Sequence, residues 1–96
     1  MTVAPMRFAD IPDDLLGLKP ELNREAAHRL DSTGAMAFGL YEDGALAGVA
    51  WLFYNGLYDS VYVDTLILYP EHRSLGNLRE AHRIVWACAR GVANRL

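Results

Sequence analysis

Leu68-Tyr69-Pro70-Glu71-His72-Arg73-Ser74-Leu75-Gly76-Asn77-Leu78 is the stretch that decides the fold. An apolar, strand-like run from Val61 to Leu68 precedes it, and a long amphipathic helical pattern follows. Pro70 stops the strand. Arg73-x-x-Gly76 then makes a turn that feeds a helix start near Gly76. A helix N-terminus offers unpaired backbone N–H groups and the positive end of the helix dipole, which suits a phosphate. Glycine lets the backbone come close to a ligand, and arginine adds a permanent charge.

Upstream of this phrase the chain reads as an antiparallel meander. Ala35 to Tyr41 is a strand, turned by Glu42-Asp43-Gly44 into a second from Ala45 to Tyr54. Asn55-Gly56 opens a loop, and Ser60 to Leu68 is the next strand. The Ala45–Tyr54 run is apolar on both faces: Val49, Trp51 and Phe53 on one, Leu46, Ala50 and Leu52 on the other. A strand of that kind needs cover on both sides of its sheet. At the N-terminal end, Val3 to Phe8 reads as a short strand. Asp10 is the expected N-cap of a first helix, with Pro12 in its first turn and Leu15, Leu16 and Leu18 as its apolar cluster. Leu22, Ala26 and Leu30 recur every four residues and predict a second helix from Pro20 to about Leu30.

The final helix is predicted to bury a stripe of Leu75, Leu78, His82, Val85, Ala89, Val92 and Leu96. His82 is expected to pack there, and Trp86 beside it is expected in the core. The fold class is therefore α+β: an antiparallel meander flanked by two N-terminal helices and a long C-terminal helix, with residues 1–96 as one domain.

Composition narrows the function. The sequence is 96 residues long, so it forms at most one small core and buries only ~60–65% of its unfolded surface. Its apolar content of 52% excludes a disordered tail. No run is long and apolar enough to cross a bilayer, and the first residues lack a signal-peptide pattern, so a cytoplasmic protein is expected. Cys88 is the sole cysteine, expected as an inert thiol on a buried helix face. His28, His72 and His82 are scattered without partner thiols, which gives no metal site. A net charge of −3 argues against general nucleic-acid binding. The charge is unevenly spread: residues from Arg73 onward carry +4 and those before it −7. The basic end coincides with the proposed phosphate turn and favours a polyanionic small ligand.

The phrase resembles motif A of the GNAT superfamily, the acyl-CoA-dependent N-acetyltransferases. Leu68, Pro70, Arg73 and Gly76 match its order and spacing, while Leu78 stands where the family prefers Gly or Ala. Met6-Arg7-Phe8, Asp13 and Leu15-Leu16 look like the family's first strand and helix. The resemblance implies a short form, with the C-terminal half of the fold outside residues 1–96. It also implies acetyl-CoA as substrate. The amides around Arg73, Ser74, Leu75, Gly76, Asn77 and Leu78 would hold the pyrophosphate. The backbone of Leu66 and Leu68 would receive the pantetheine arm and thioester. Aligning the strand end puts Asp64 at the family's general-base position. The family's acid, a tyrosine beyond the last helix, has no counterpart, and Tyr54, Tyr58, Tyr62 and Tyr69 are not assigned the role by matching.

Two functions follow from the resemblance. One is an N-acetyltransferase moving an acetyl group from acetyl-CoA to an amine. The other is a GNAT-like module without catalysis, serving binding or assembly in a larger complex or a virus particle. A third reading, an unrelated α+β domain, makes the Arg-x-x-Gly turn accidental. Ser60 to Leu68 is a nine-residue apolar strand without lysine or internal proline to blunt an exposed edge. The protein is therefore expected to be a homo-oligomer or part of a larger assembly.

Overall fold

A computed structural model describes residues 1–19, 35–55 and 60–93, apart from the side chains of Tyr54, Asn55, Tyr62, Asp64 and Ala93. Strand β1 (Thr2–Met6) leads into a 3-10 turn (Phe8–Asp10) and a short helix α1 (Asp13–Leu16). Strands β2 (Met36–Glu42), β3 (Ala45–Asn55) and β4 (Ser60–Leu68) follow. A 3-10 turn (Pro70–His72) then leads to the long helix α2 (Leu75–Ala93). The four described strands form one antiparallel sheet in chain order, with β1 and β4 the outer ones among them. This is the expected α+β meander. The helix expected from Pro20 to about Leu30 lies outside the described residues.

Local chemistry explains the meander. Asp43 and Gly44 adopt φ of 52° and 82° between β2 and β3. Two positive φ values at the centre of a two-residue turn match the right-handed twist of the paired strands. β3 is covered on both faces, as its sequence requires. On one face Val49 and Trp51 pack with Phe8, Ile11, Leu15, Leu16 and Ile67. Phe8 meets Trp51 edge-on, with ring centroids 5.5 Å apart at 64°. On the other face Ala50 and Leu52 pack with Leu40, Leu68 and the α2 residues Ala81, Ile84, Val85 and Ala89.

Two register shifts alter the predicted facing of side chains. Leu40 pairs with Gly48 but Tyr41 with Leu46, so Ala47 is an extra residue in β3. Leu46 consequently joins the Trp51 face, not the Ala50 face that strict alternation assigns. In the second shift Trp51 pairs with Thr65 but Leu52 with Val63, so Asp64 is the extra residue in β4. Val61, Val63, Leu66 and Leu68 therefore all reach the α2 side, although the interval from Val63 to Leu66 breaks period two.

Three other expectations are corrected. Asp10 does not cap a helix: it closes the 3-10 turn and its carboxylate accepts from Arg7 Nε at 3.1 Å, while Pro12 precedes α1. The buried stripe of α2 is rotated from the predicted one. Ala81, Ile84, Val85 and Ala89 are buried, with Cys88 and Val92 partly so, whereas Leu75, Leu78 and His82 are exposed. Trp86 is 50% exposed and stands outside the core. The small side chains Ala81 and Ala89 let α2 lie close to the sheet. Leu75, Leu78, His82 and Trp86 lie about a quarter-turn round the helix from that stripe, on an exposed flank.

Trp51 is fully buried between the first turns and the sheet. Trp51→Ala is expected to cost about 3–5 kcal/mol, the range for removing a large aromatic from a core. Denaturant unfolding of both proteins checks this, and a loss below about 1 kcal/mol would mean the Phe8–Trp51 cluster is not a structural core.

Candidate functional site

The turn between β4 and α2 is held by a closed set of hydrogen bonds. The His72 amide donates to the Tyr69 carbonyl at 2.9 Å and the Arg73 amide to Pro70 at 3.2 Å. Arg73 Nε donates to the Leu68 carbonyl at 2.8 Å, tying the side chain back to the end of β4. Ser74 is the N-cap of α2: its Oγ accepts from the Asn77 amide at 3.1 Å, and its carbonyl accepts from Leu78 at 2.9 Å. The Asn77 side chain donates from Nδ2 to Glu42 Oε2 at 2.6 Å and to the His72 carbonyl at 3.0 Å. His72 Nδ1 lies 3.5 Å from the same Glu42 oxygen. Glu42, at the end of β2, thus anchors the helix start to the sheet.

These bonds divide the six amides that the sequence nominates for an anion. Those of Arg73, Asn77 and Leu78 are already paired within the protein. Those of Ser74, Leu75 and Gly76 have no acceptor among the described residues. They sit at the positive end of a 19-residue helix. A Cβ added at Gly76 would meet nothing within 4 Å, so the space in front of this turn is open.

Beside the turn runs a cleft of about 440 Å³. Its floor is the last half of β4, from Thr65 to Leu68. Leu78 and His82 of α2 form one wall, Leu18 and Lys19 after α1 the other, and Arg73 closes one end. The structure thus brings Leu66, Leu68, Arg73 and Leu78 of the nominated residues together. Ser74, Leu75, Gly76 and Asn77 form the adjoining helix start. Asp64 is at the β4 bulge immediately before Thr65; its side chain lies outside the described atoms. A bulge bends its strand and leaves one residue unpaired, a recurrent way to re-aim a group at a site.

Sequence reading misses Lys19, Thr65 and His82 as cleft residues. Lys19 Nζ donates to Thr65 Oγ1 at 2.6 Å and lies 5.8 Å from the centre of the Trp51 ring. Nothing in the local sequence around Lys19 signals this, because the contact spans 46 positions. His82 carries a detectable signal: it is a polar residue on a stripe otherwise expected to be buried. The charged side chains that line the cleft, Lys19 and Arg73, are both cationic, which suits an anionic ligand.

Two groups are set aside by the geometry. The Tyr69 phenol donates to Asp14 Oδ1 at 2.7 Å and is not part of the cleft lining. Burial pushes the Cys88 thiol pKa up, which disfavours its thiolate. Among the described residues no group of three or more His, Cys, Asp or Glu side chains gathers to hold a metal ion. No helix among them is long and apolar enough to cross a membrane.

Comparison with solved structures decides the fold. The chain superposes on an IAA acetyltransferase from Bacillus cereus ATCC 14579 with a TM-score of 0.75, over 95% of its own length at 16% identity. The fold is that of the GNAT acetyltransferases. The N-acetylglutamate synthase from Neisseria gonorrhoeae, solved with coenzyme A and N-acetyl-glutamate, matches 96% of the chain with a TM-score of 0.67 and 22% identity. The GNAT-like chain spans 59% of the first structure and 23% of the second. No protein-family model and no curated protein matches its sequence.

The Tyr69–Asp14 contact makes a pH prediction. Burial and the Asp14 carboxylate push the phenol up from 10.0 to about 12. A phenol whose folded-state pKa is raised stabilises the fold fully below pH 10, and that contribution is lost as pH rises through about 12. Absorbance titration should show one late-ionising tyrosine that returns toward pH 10 in Asp14→Asn. An unchanged titration in that variant would mean the hydrogen bond does not govern Tyr69.

Proposed function

We propose that this chain binds acetyl-CoA in the β4–α2 cleft and transfers the acetyl group to an amine. One observation carries the reading: three amides at the start of α2, those of Ser74, Leu75 and Gly76, have no acceptor among the described residues and stand beside an arginine at the mouth of a cleft floored by β4. This donor set suits a diphosphate, with amides fixed before the ligand arrives and little reorganisation needed on binding. The GNAT fold supports the same reading at the level of architecture.

Each residue then has a distinct part. Ser74, Leu75 and Gly76 bind diphosphate oxygens through their backbone N–H groups. Arg73 contributes its charge while its Nε holds the end of β4. Asn77 and Leu78, whose amides are used internally, shape the turn and the wall instead of donating from the backbone. The backbone of Leu66 and Leu68 lies along the path of the pantetheine arm. Asp64, at the bulge, takes the proton from the attacking amine, directly or through water. The neutral amine attacks the thioester carbonyl, the C–S bond breaks, and an amide and free CoA result.

Calorimetry with CoA tests the cofactor. Arg73→Ala should weaken binding by about 1–3 kcal/mol, as for a charge-assisted hydrogen bond. Gly76→Val should abolish it, because a Cβ at this position finds open space and a branched side chain would stand where the diphosphate is proposed to lie. Unchanged affinity in both folded variants would remove CoA from this turn. In turnover assays Asp64→Asn should lose roughly 10²–10⁴-fold in rate while retaining CoA affinity. Full activity would exclude Asp64 as base, and a wild type that binds CoA without turnover would favour the non-catalytic binding module.

Self-association through the outer edge of β4, along its Ser60–Val63 half beyond the cleft floor, belongs to the same proposal. β4 has one strand neighbour among the described strands, and Ser60–Leu68 carries no lysine or proline. Sedimentation at micromolar concentration should give a dimer or larger species, whereas a stable monomer would exclude obligatory self-association.

A further inference from the structure

Thioester cleavage generates a thiolate, and a positioned acid near the sulfur speeds its departure. Tyr69 donates its phenol proton to Asp14 and does not line the cleft. Lys19 donates to Thr65, and a guanidinium is not a general acid because it keeps its proton in proteins. His82 lines the cleft from the α2 wall and is exposed, where the sequence pattern predicts a packed residue.

Its depth in the cleft is set by helix geometry. His82 lies six residues beyond Gly76, so it is about 9 Å along α2 from the proposed diphosphate turn at 1.5 Å per residue. Thr65 lies three residues before Leu68, about 10 Å along β4 from the carbonyl that Arg73 Nε holds. His82 on the α2 wall and Thr65 on the β4 floor thus line one cleft at similar distances from its Arg73 end. That is where an extended arm anchored at Ser74–Gly76 presents its reacting end.

Resting on the acetyl-CoA reading above, we propose that His82 is the general acid that protonates the departing CoA sulfur. In this step the amine nitrogen forms its bond to the carbonyl carbon, and the C–S electron pair stays on sulfur. An imidazolium N–H of His82 gives its proton to that sulfur. The amine's proton leaves to Asp64 or water, and His82, open to solvent, is reprotonated from water. The charged groups lining the same cleft are Lys19 from the segment after α1 and Arg73 from the turn. Their positive charge also favours a thiolate forming there.

The test uses imidazole resonances of the full chain, with His82 assigned by its loss in His82→Gln. CoA and desulfo-CoA, which lacks the sulfur, are added separately. Both should shift the Gly76 amide, and CoA should shift the His82 resonances well beyond desulfo-CoA. In acetyl-transfer assays His82→Gln should lower kcat roughly 10²-fold with KM for acetyl-CoA unchanged. The loss should shrink for an acetyl thioester of a low-pKa aryl thiol, which departs without an acid. If Gly76 responds to both ligands while His82 distinguishes neither, the assignment of His82 is overturned and the cofactor reading stands. A uniform rate loss across all thioesters would likewise reduce His82 to a wall residue. If Gly76 responds to neither, the cofactor reading fails and this assignment fails with it.

Discussion

Arg73 joins strand to helix by donating from Nε to the Leu68 carbonyl, and the cleft depends on that bond together with the Ser74 cap. A helix start has four backbone donors without intrahelical acceptors. The Ser74 side chain satisfies one of them at Asn77. Glu42 reaches across from β2 to hold Asn77 and His72. The turn is therefore rigid on its sheet side, while the donors of Ser74, Leu75 and Gly76 remain without a described acceptor. On the proposed reading, a turn stiff on its protein side and unsatisfied on the other would take an anion without rearrangement.

The sheet serves that turn. β3 is buried on both faces, so its two clusters fix β4 against the first turns on one side and α2 on the other. The extra residue at Asp64 lets β4 keep apolar contact with α2 on both sides of the bulge while passing Thr65 to the Trp51 side. A bulge beside Trp51 thus has a packing consequence and a consequence for the site. Thr65 meets Lys19 there, and Leu66 to Leu68 floor the cleft.

Much of the architecture was legible from residue patterns. The bounds of β4 follow from its apolar run, and the Asp43-Gly44 turn demands two positive φ values that its residues supply. The strand–turn–helix phrase around Arg73 and Gly76 pointed to the GNAT fold. Side-chain facing was less legible because a single extra residue reverses alternation. Leu46 was misassigned through Ala47, whereas the polar pair Asp64-Thr65 interrupting the β4 run marks the second bulge in hindsight. On α2, two interleaved apolar stripes competed, and the one with small residues won because the helix packs closely on the sheet. That choice exposes Leu75, Leu78, His82 and Trp86. Lys19 was invisible because its role arises from a contact distant in sequence.

The account stands on the first-turn amides of α2, and amide chemical shifts on titration with CoA address them most directly. The largest changes are predicted at Ser74, Leu75 and Gly76, with smaller ones at the already paired Asn77 and Leu78. Saturation with no response at these residues, or a response centred on another part of the sheet, would contradict it.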